Sequence, residues 1–442
     1  MKAAKIILKN SFFLIFGTVV SKGVTFIYIA FIARSLGIEA FGKYSFALSL
    51  VMMFSMLSDL GLSVFIFREI SRNKKQISNY VGNVLIMRIV TGICFLVIIN
   101  CISIFSHYDS EKKMLIFILS FWILILNLSQ VFRATFKAME KMAYEAWAEV
   151  LDNVLRLVFV IFLIKFGFGV VGVAFSLLAA SIVTIIFSIN VFLKKFASFK
   201  FDLDFRIWRE AIKQVFPLSL AAVLITYFGR IDNLILAYFK GDAAVGLYDS
   251  SCRLVWMIIF IPAYLTQSTF PKLSEAAIQC PRRFSKLLTY LIKFNFIVTI
   301  PMTLVMFIFS SLIIHIIYGA SFSSSTSILK VLIWSYPIHA VIGALVYALY
   351  AMNKQHINSI FITIALIVNV ILDITFVGKF SYFGIAYSTL SSLILLCLLL
   401  FQYAFKNGYF ELKSLCFTKE DFLLGKNTLV QLFSKVSREE LK

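Results

Sequence analysis

The chain has 442 residues, of which 61% are hydrophobic and 14% are charged, and its formal net charge is +20. Soluble globular domains carry about 25% charged residues and could not bury this much apolar surface, so the composition excludes that class. The positive charge does not indicate a nucleic-acid partner, because lysine and arginine lie mainly in short loops between apolar segments.

Apolar segments long enough to cross a bilayer recur along the whole chain, since a spanning helix needs about 20 such residues. The first follows three lysines as a signal peptide would, but its length and the lack of a small-residue cleavage site favour an uncleaved span. We predict an all-α integral membrane protein of about twelve transmembrane helices. The predicted spans are 11–33, 44–66, 82–104, 114–135, 149–165, 170–193, 212–239, 246–269, 288–317, 328–351, 356–377 and 380–405.

The distribution of basic residues predicts the orientation of these spans. With the N-terminus inside, the cytoplasmic segments carry 27 lysines and arginines and the opposite loops carry 7. Cytoplasmic loops are enriched in these residues, so we expect both termini to lie in the cytoplasm.

The two halves of the chain resemble each other. Ala33–Val51 aligns without gaps on Ala237–Val255 with seven identities, three of which pair Gly37 with Gly241, Gly42 with Gly246 and Tyr44 with Tyr248. At a similar offset, AMEK at 138–141 aligns with AMNK at 351–354, and GVAFSLL at 172–178 with GIAYSTL at 384–390. Chance similarity between apolar stretches is the alternative, although shared glycines and a tyrosine argue against it.

The repeat predicts the domain organisation. A unit of six helices returns to the side where it started, so the halves are parallel repeats, as in many carriers. We expect six-helix bundles at 1–195 and 212–405 around a central cavity. A cytoplasmic linker at 196–211 would join them, and a cytoplasmic tail would follow at 406–442.

The sequence contains no pattern typical of a cofactor or metal site. A G-x-G-x-x-G stretch at 167–172 joins two apolar helices, whereas the dinucleotide motif joins a strand to a helix. Four histidines lie far apart, with no ligand spacing between them. We therefore predict no catalytic residues, no cofactor and no metal.

Charged residues deep within spans are the informative positions, because a charge there is costly unless it faces protein or water. Cations outweigh acids in such positions, which predicts a cavity that attracts anions and favours arginine as a phosphate ligand. The alternative is that these cations pair internally, as Arg156 could with Asp152 or Arg230 with Asp232, or extend to the interface. The candidate substrate-binding residues are Lys22, Arg88, Arg156, Arg230 and Arg253.

Two carboxylates are candidates for ion coupling. Asp59 and Asp232 lie within predicted spans, where a carboxylate changes protonation readily when its surroundings change. The alternative is a salt bridge that only fixes the helix register.

Short motifs carry a resemblance to a known family. They are Ala33-Arg-Ser-Leu-Gly37 followed by Phe41-Gly-Lys-Tyr-Ser45, and Arg230-Ile-Asp232 followed by Val245-Gly-Leu-Tyr248 and Arg253. With these motifs the chain resembles, over residues 5–405, the polysaccharide-exporter branch of the MOP superfamily, specifically the O-antigen (Wzx-type) flippases. Teichuronic acid and stage V sporulation relatives share pieces of them.

The resemblance implies alternating access in a bacterial inner membrane, with an undecaprenyl-pyrophosphate-linked oligosaccharide carried from cytoplasm to periplasm. It also implies an ion gradient as the energy source, and a polysaccharide polymerase and glycosyltransferases as partners. The five candidate cations would stabilise the pyrophosphate in transit.

Two other functions remain open. A MATE-like multidrug exporter shares the superfamily fold, but a basic cavity would repel its mostly cationic substrates. A membrane O-antigen polymerase or ligase usually carries a large extracytoplasmic loop, whereas the longest predicted outward loop here has about ten residues.

Overall fold

The computed structural model describes residues 2–198 and 202–410, and within these ranges the side chains of 2–16, 19 and 215–222 are not described. The described residues form fifteen α-helices and two short 3₁₀ helices, with no β-strand. This confirms the predicted all-α class, in which each helix satisfies its own backbone groups within the bilayer. The predicted tail beyond residue 410 and residues 199–201 of the predicted linker lie outside the described residues.

The chain forms two compact units, the first made of residues 1–249 and 315–322. Its helices are α1 Lys2–Asp59, α2 Leu62–Arg72, α3 Ile77–Phe105, α4 Ser110–Ala138, α5 Met142–Lys165, α6 Gly169–Lys195, α7 Phe205–Phe228, α8 Ile231–Lys240 and the start of α9 Asp242–Gln279.

The second unit contains residues 250–314 and the chain from 323 onward. It holds the rest of α9, α10 Pro281–Ile308, most of α11 Ser310–Tyr318, α12 Ser325–Leu332, α13 Ser335–Ala351, α14 Gln355–Phe380 and α15 Tyr382–Lys406. The boundary at 249/250 falls inside α9, whereas the predicted linker is at 196–211. The two six-helix bundles with their predicted limits stay a prediction.

Nine helical stretches among the described residues are long and apolar enough to cross a membrane. One of them, Val20–Arg72, includes most of the first two predicted spans, with non-helical geometry at Gly37 between them and a further break at Leu60 and Gly61. The predicted spans at 149–165 and 212–239 are not among the nine, so the number twelve stays a prediction. The chain is a multi-pass membrane protein, and its surface fits this, because α3 exposes Ile93, Val97 and Ile104 along its length.

The predicted repeat extends to backbone geometry. Gly37 has φ 78° and ψ −178°, and its match Gly241 has φ 79° and ψ −177°, a region that essentially only glycine adopts. Glu140 (φ 59°) and its match Asn353 (φ 56°) end their helices in the same left-handed turn. The amide after each donates to the carbonyl five residues back, at 2.9 Å in the first copy and 2.8 Å in the second.

Residues 315–322 belong to the second half of the sequence but to the first unit of the structure, and Arg34 binds them there. The Arg34 guanidinium donates to the carbonyl oxygens of Ile317 at 3.0 Å and His315 at 3.3 Å, and also to that of Ile316. These carbonyls belong to the last turn of α11, where carbonyl groups lack helical N–H donors and carry partial negative charge. The fully buried ring of Phe322 packs edge-on against Phe41, with centroids 5.9 Å apart.

Two glycines of the repeat let the backbones of α1 and α9 touch. A Cβ added at Gly42 would lie 1.8 Å from the carbonyl oxygen of Asp242, and one added at Gly246 would lie 2.2 Å from that of Ile38. The contact is reciprocal, since Asp242 occupies in the second copy the position of Ile38 in the first. No side chain fits at either glycine, because the obstacle is backbone on both sides.

We predict that Gly42→Ala and Gly246→Ala each lower the stability of the protein by about 1–3 kcal/mol, the cost of overpacking a filled site. Thermal unfolding of the detergent-purified protein measures the effect. Gly343→Ala in α13 is the matched control, since nothing lies within 4 Å of an added Cβ there, and it should be neutral or slightly stabilising. Unfolding midpoints for Gly42→Ala equal to those of Gly343→Ala would contradict the close crossing.

Candidate functional site

Two of the predicted site residues, Arg88 and Asp59, are brought together in one ion pair. Arg88 of α3 is fully buried and pairs with Asp59 at the end of α1. The same guanidinium donates to the Ser63 hydroxyl at 2.6 Å and to the Asn127 carbonyl oxygen in α4. One side chain thus links four helices. With no exposed surface, Arg88 cannot reach a substrate in this conformation, and its substrate-binding role stays a prediction.

The Arg88–Asp59 pair lies at a break in the helical backbone. Asp59 accepts from the amide of Gly61 at 3.3 Å and from the Ser63 hydroxyl at 3.2 Å. Between α1 and α2, Leu60 and Gly61 have φ values of 43° and 74°. A leucine at positive φ is strained, so the carboxylate and its partners hold a turn that the sequence does not favour locally.

Arg156 takes the internal partner that the sequence suggested. It pairs with Asp152 one turn earlier on α5, and its guanidinium lies 5.5 Å from the ring centroid of Trp122. Asp152 is buried and also lies 3.5 Å from the Ser181 hydroxyl. The Arg156 side chain remains 18% exposed, so the pairing does not remove it from the surface.

Lys22 differs from Arg88 and Arg156. It is exposed near the middle of the first predicted span, and it makes no hydrogen bond or ion pair with the part of the chain that the structure describes. One turn later, the Thr25 hydroxyl donates to the Asn153 side chain of α5 at 3.0 Å. A lysine in an apolar span is costly unless it faces protein, water or a ligand.

Lys22 and Arg156 lie on the two helices that form one contact, the α1–α5 seam. A Cβ added at Gly17 would lie 2.9 Å from the Ala146 side chain, and Thr25 meets Asn153, so the two helices run parallel in register. In this register Arg156 lies about six residues further along the seam than Lys22, which corresponds to about 9 Å.

Of the candidates in the second half of the sequence, Arg230 and Asp232 belong to the first unit and Arg253 to the second. Asp232 lies in the first turn of α8, is 5% exposed and accepts from the Tyr248 hydroxyl at 2.5 Å. The helix N-terminus favours a negative charge at that position. Arg230, just before α8, is half-buried in the first unit, and Arg253 of α9 is half-buried in the second.

Sequence reasoning missed a buried polar network beside the glycine crossing. Asp249 accepts from the Ser45 hydroxyl at 2.6 Å and from the Asn233 amide at 3.1 Å. Asn233 also donates to the Ser49 hydroxyl at 2.9 Å. The repeat alignment pairs position 45 with position 249, and this correspondence was the one signal that could have pointed to the contact.

No group of three or more histidines, cysteines or acids with metal-binding geometry occurs among the described residues. The Asp249 network is made of hydroxyls and an amide around a single carboxylate, and each ion pair above joins one acid to one base. Among the described residues, Lys22 and Arg156 offer exposed positive charge to an anionic ligand. The hydroxyls that donate to carboxylates, such as Ser45 to Asp249, belong to buried hydrogen-bond networks.

Comparison with known proteins places this geometry in a family. Residues 7–277 match the model of the polysaccharide biosynthesis protein family, and residues 217–375 match the MatE model. The chain is 23% identical to a putative O-antigen transporter of Shigella flexneri, over 89% of this chain and 96% of that protein. It is 22% identical to a probable low-salt glycan biosynthesis flippase, Agl15, of Haloferax volcanii, over 96% and 92% respectively.

The fold is also that of a solved transporter. The structure of the lipid II flippase MurJ in an inward closed conformation superposes with a TM-score of 0.75, covering 98% of this chain and 100% of that chain at 17% identity. The predicted resemblance to the polysaccharide-exporter branch of the MOP superfamily is thus confirmed. Because its model matches more than half of the residues, the chain belongs to the polysaccharide biosynthesis protein family.

Proposed function

We propose that this protein is a transporter that moves a polyprenyl-diphosphate-linked oligosaccharide across the membrane. The oligosaccharide would be used in the synthesis of O-antigen or another surface polysaccharide. The observation that carries the proposal is Lys22, an exposed cation without a described protein partner inside an apolar span. A diphosphate is rejected by hydrocarbon, and a lysine with no described partner can stabilise it without first breaking a salt bridge. Two relatives matched over most of their length are named as a transporter and a flippase, which supports the same reading.

The substrate path is proposed to begin at Lys22 and to continue along the α1–α5 seam. Arg156 takes the next position, since its exposed portion can accept a phosphate while Asp152 keeps the guanidinium oriented. Arg230 and Arg253 are proposed as ligands of the second half. Arg88 is proposed to act on the substrate only if its bridge to Asp59 opens.

Ion coupling is proposed at Asp59 and Asp232. Asp59 is paired with Arg88, and Asp232 accepts a hydrogen bond from Tyr248. Loss of either partner would change the affinity of that carboxylate for a proton or a cation. The proposed setting is a bacterial inner membrane with both termini in the cytoplasm, supported by the 27 to 7 distribution of basic residues. Glycosyltransferases that supply the substrate and a polymerase that consumes it are the proposed partners.

A multidrug exporter is the second candidate, favoured by the MatE match at 217–375. Its substrates are usually cationic, and an unpaired lysine in the path would repel them. Efflux of a cationic dye from cells that express the protein separates the two functions. If the protein exports the dye, and if cells without the protein translocate the glycan normally, the multidrug function replaces the flippase proposal.

The first functional prediction concerns Lys22. In proteoliposomes, Lys22→Gln should slow the appearance of a polyprenyl-diphosphate-linked oligosaccharide at the opposite leaflet by roughly 10- to 100-fold, the loss of one hydrogen bond to a charged group. Exposure of the glycan to a membrane-impermeant modifying enzyme gives the rate. Lys22→Arg should retain most of the activity, because it keeps the charge.

Lys165→Gln is the matched control, an exposed lysine at the end of α5 without a described partner. It should translocate at the wild-type rate. If wild-type protein gives no more exposure than empty vesicles, the function itself is wrong. If wild type is active and Lys22→Gln equals it, only the path through Lys22 is wrong.

The second prediction separates a structural arginine from a transporting one. Arg88→Gln should lower the free energy of unfolding by about 3 kcal/mol, at the low end for a broken buried pair because Asp59 is 30% exposed. Lys22→Gln should leave it unchanged. Thermal and denaturant unfolding in detergent give both values.

The double variant Asp59→Asn/Arg88→Gln tests whether the two residues act as a pair. Its destabilisation should be smaller than the sum of the single variants by more than about 0.5 kcal/mol, the usual limit of additivity. Strict additivity would mean that the bridge does not contribute as a unit.

A further inference from the structure

An apolar groove lies between the last turns of α9 and the first turns of α10. Its volume is about 190 Å³, and its walls are formed by Leu265, Leu273, Leu287, Leu291 and Phe294. The two helices are joined by a short turn, so residues equally distant from it face each other. Lys272 and Leu287 therefore mark the end near the turn, and Leu265 and Phe294 mark the end inside the membrane, about 10 Å away along the helix.

The groove interior is apolar because its hydroxyl groups are used elsewhere. Ser268 donates to the Leu265 carbonyl oxygen at 2.8 Å and Thr269 to that of Thr266 at 2.8 Å. Tyr290 stacks its ring on Phe294 at an interplanar angle of 10°. A groove of this composition takes a hydrocarbon chain.

The mouth of the groove is basic. Lys272 is exposed and makes no hydrogen bond or ion pair with the described residues. Arg282 and Lys286 of α10 are exposed at the same end. The acid on the facing turn, Glu275, lies 4.0 Å from Arg283, so that arginine offsets its charge. An apolar groove with a cationic mouth complements an anionic amphiphile.

We propose that this groove binds one acyl chain of an anionic glycerophospholipid of the phosphatidylglycerol type, with the lipid phosphate on Lys272. In the orientation given above, the site belongs to the cytoplasmic leaflet, because α9 has 38 residues and its C-terminal turns reach the headgroup level on that side.

The transported substrate does not fit the same place. Arg253, the candidate phosphate ligand of α9, is nineteen residues from Lys272 on the same helix, about 28 Å along its axis. A substrate whose diphosphate sits at Arg253 cannot place a phosphate at Lys272. The groove therefore suits a lipid that stays bound while the substrate passes.

Native mass spectrometry of the full protein released from mixed vesicles tests this, with phosphatidylglycerol and phosphatidylcholine of identical chains in equal amounts. Wild type should retain phosphatidylglycerol preferentially. Lys272→Gln should reduce that preference roughly fivefold, the factor for about 1 kcal/mol per lysine near an anionic surface. Leu287→Trp, which fills the groove, should abolish retention of this lipid.

Lys379→Gln at the opposite end of the second unit is the charge-matched control and should retain the preference, since Lys379 is exposed and remote from the groove in sequence. Equal retention of both lipids by wild type would overturn the proposal, as would a loss with Lys379→Gln as large as with Lys272→Gln. Should Leu287→Trp fail to fold, Lys272→Gln alone decides, because its exposed side chain supports no packing.

A competition experiment with added undecaprenyl phosphate tests whether the groove instead binds the transported lipid. If the groove belongs to a resident phospholipid, this carrier lipid should not displace phosphatidylglycerol at equimolar amounts. Stoichiometric displacement would assign the groove to the transported lipid and overturn the phospholipid assignment.

Discussion

The bilayer interior accepts no charge without a partner, and this constraint determines how the charged residues of the first unit are used. Arg88 meets it by a fully buried bridge to Asp59, and Arg156 meets it by a bridge to Asp152 within its own helix. Lys22 has neither solution among the described residues, and we propose that the substrate offsets its charge. The same cost separates the two cations that take carboxylate partners from the one that is proposed to bind substrate.

The same exclusion applies to the backbone, and the repeat shows how it is met. Helices in lipid keep their hydrogen bonds internal, so a bend needs a residue that tolerates an unusual conformation, and Gly37 and Gly241 supply it at matched positions. Beyond these bends the copies approach so closely that only glycine fits at 42 and 246. Ser45 and Asp249 occupy matching positions of the two copies, and the serine hydroxyl donates a hydrogen bond to the aspartate.

Features that depend on local sequence were predictable, and features that depend on helix rotation were not. The all-helical class follows from composition, the repeat from shared glycines, and the Arg156–Asp152 bridge from their spacing of four residues. The partner of Arg88 is 29 residues away, and the carbonyls bound by Arg34 are more than 280 residues away. Such pairs depend on which face each helix turns to its neighbour, and hydropathy contains no record of that. Helical geometry is interrupted at Gly37, inside the predicted loop at 34–43. A second break, at Leu60 and Gly61 between α1 and α2, was not predicted, because it lies inside the predicted span 44–66.

Basic residues act at two depths in this protein, and the depth determines what each can bind. The side chains of lysines at the ends of spans are long enough to reach water. A cluster of basic residues at such an end, such as the one near Lys272, therefore costs little free energy, and it favours one orientation of the chain and contact with anionic lipids. A lysine at the middle of a span reaches no interface, and its presence has to be compensated by hydration or by a bound anion. Lys22 is in the second class and Lys272 in the first. An anion attracted to the basic ends of the spans is therefore held at the headgroup level. An anion bound at Lys22 would lie beyond that level, as the proposed path for a diphosphate through hydrocarbon requires.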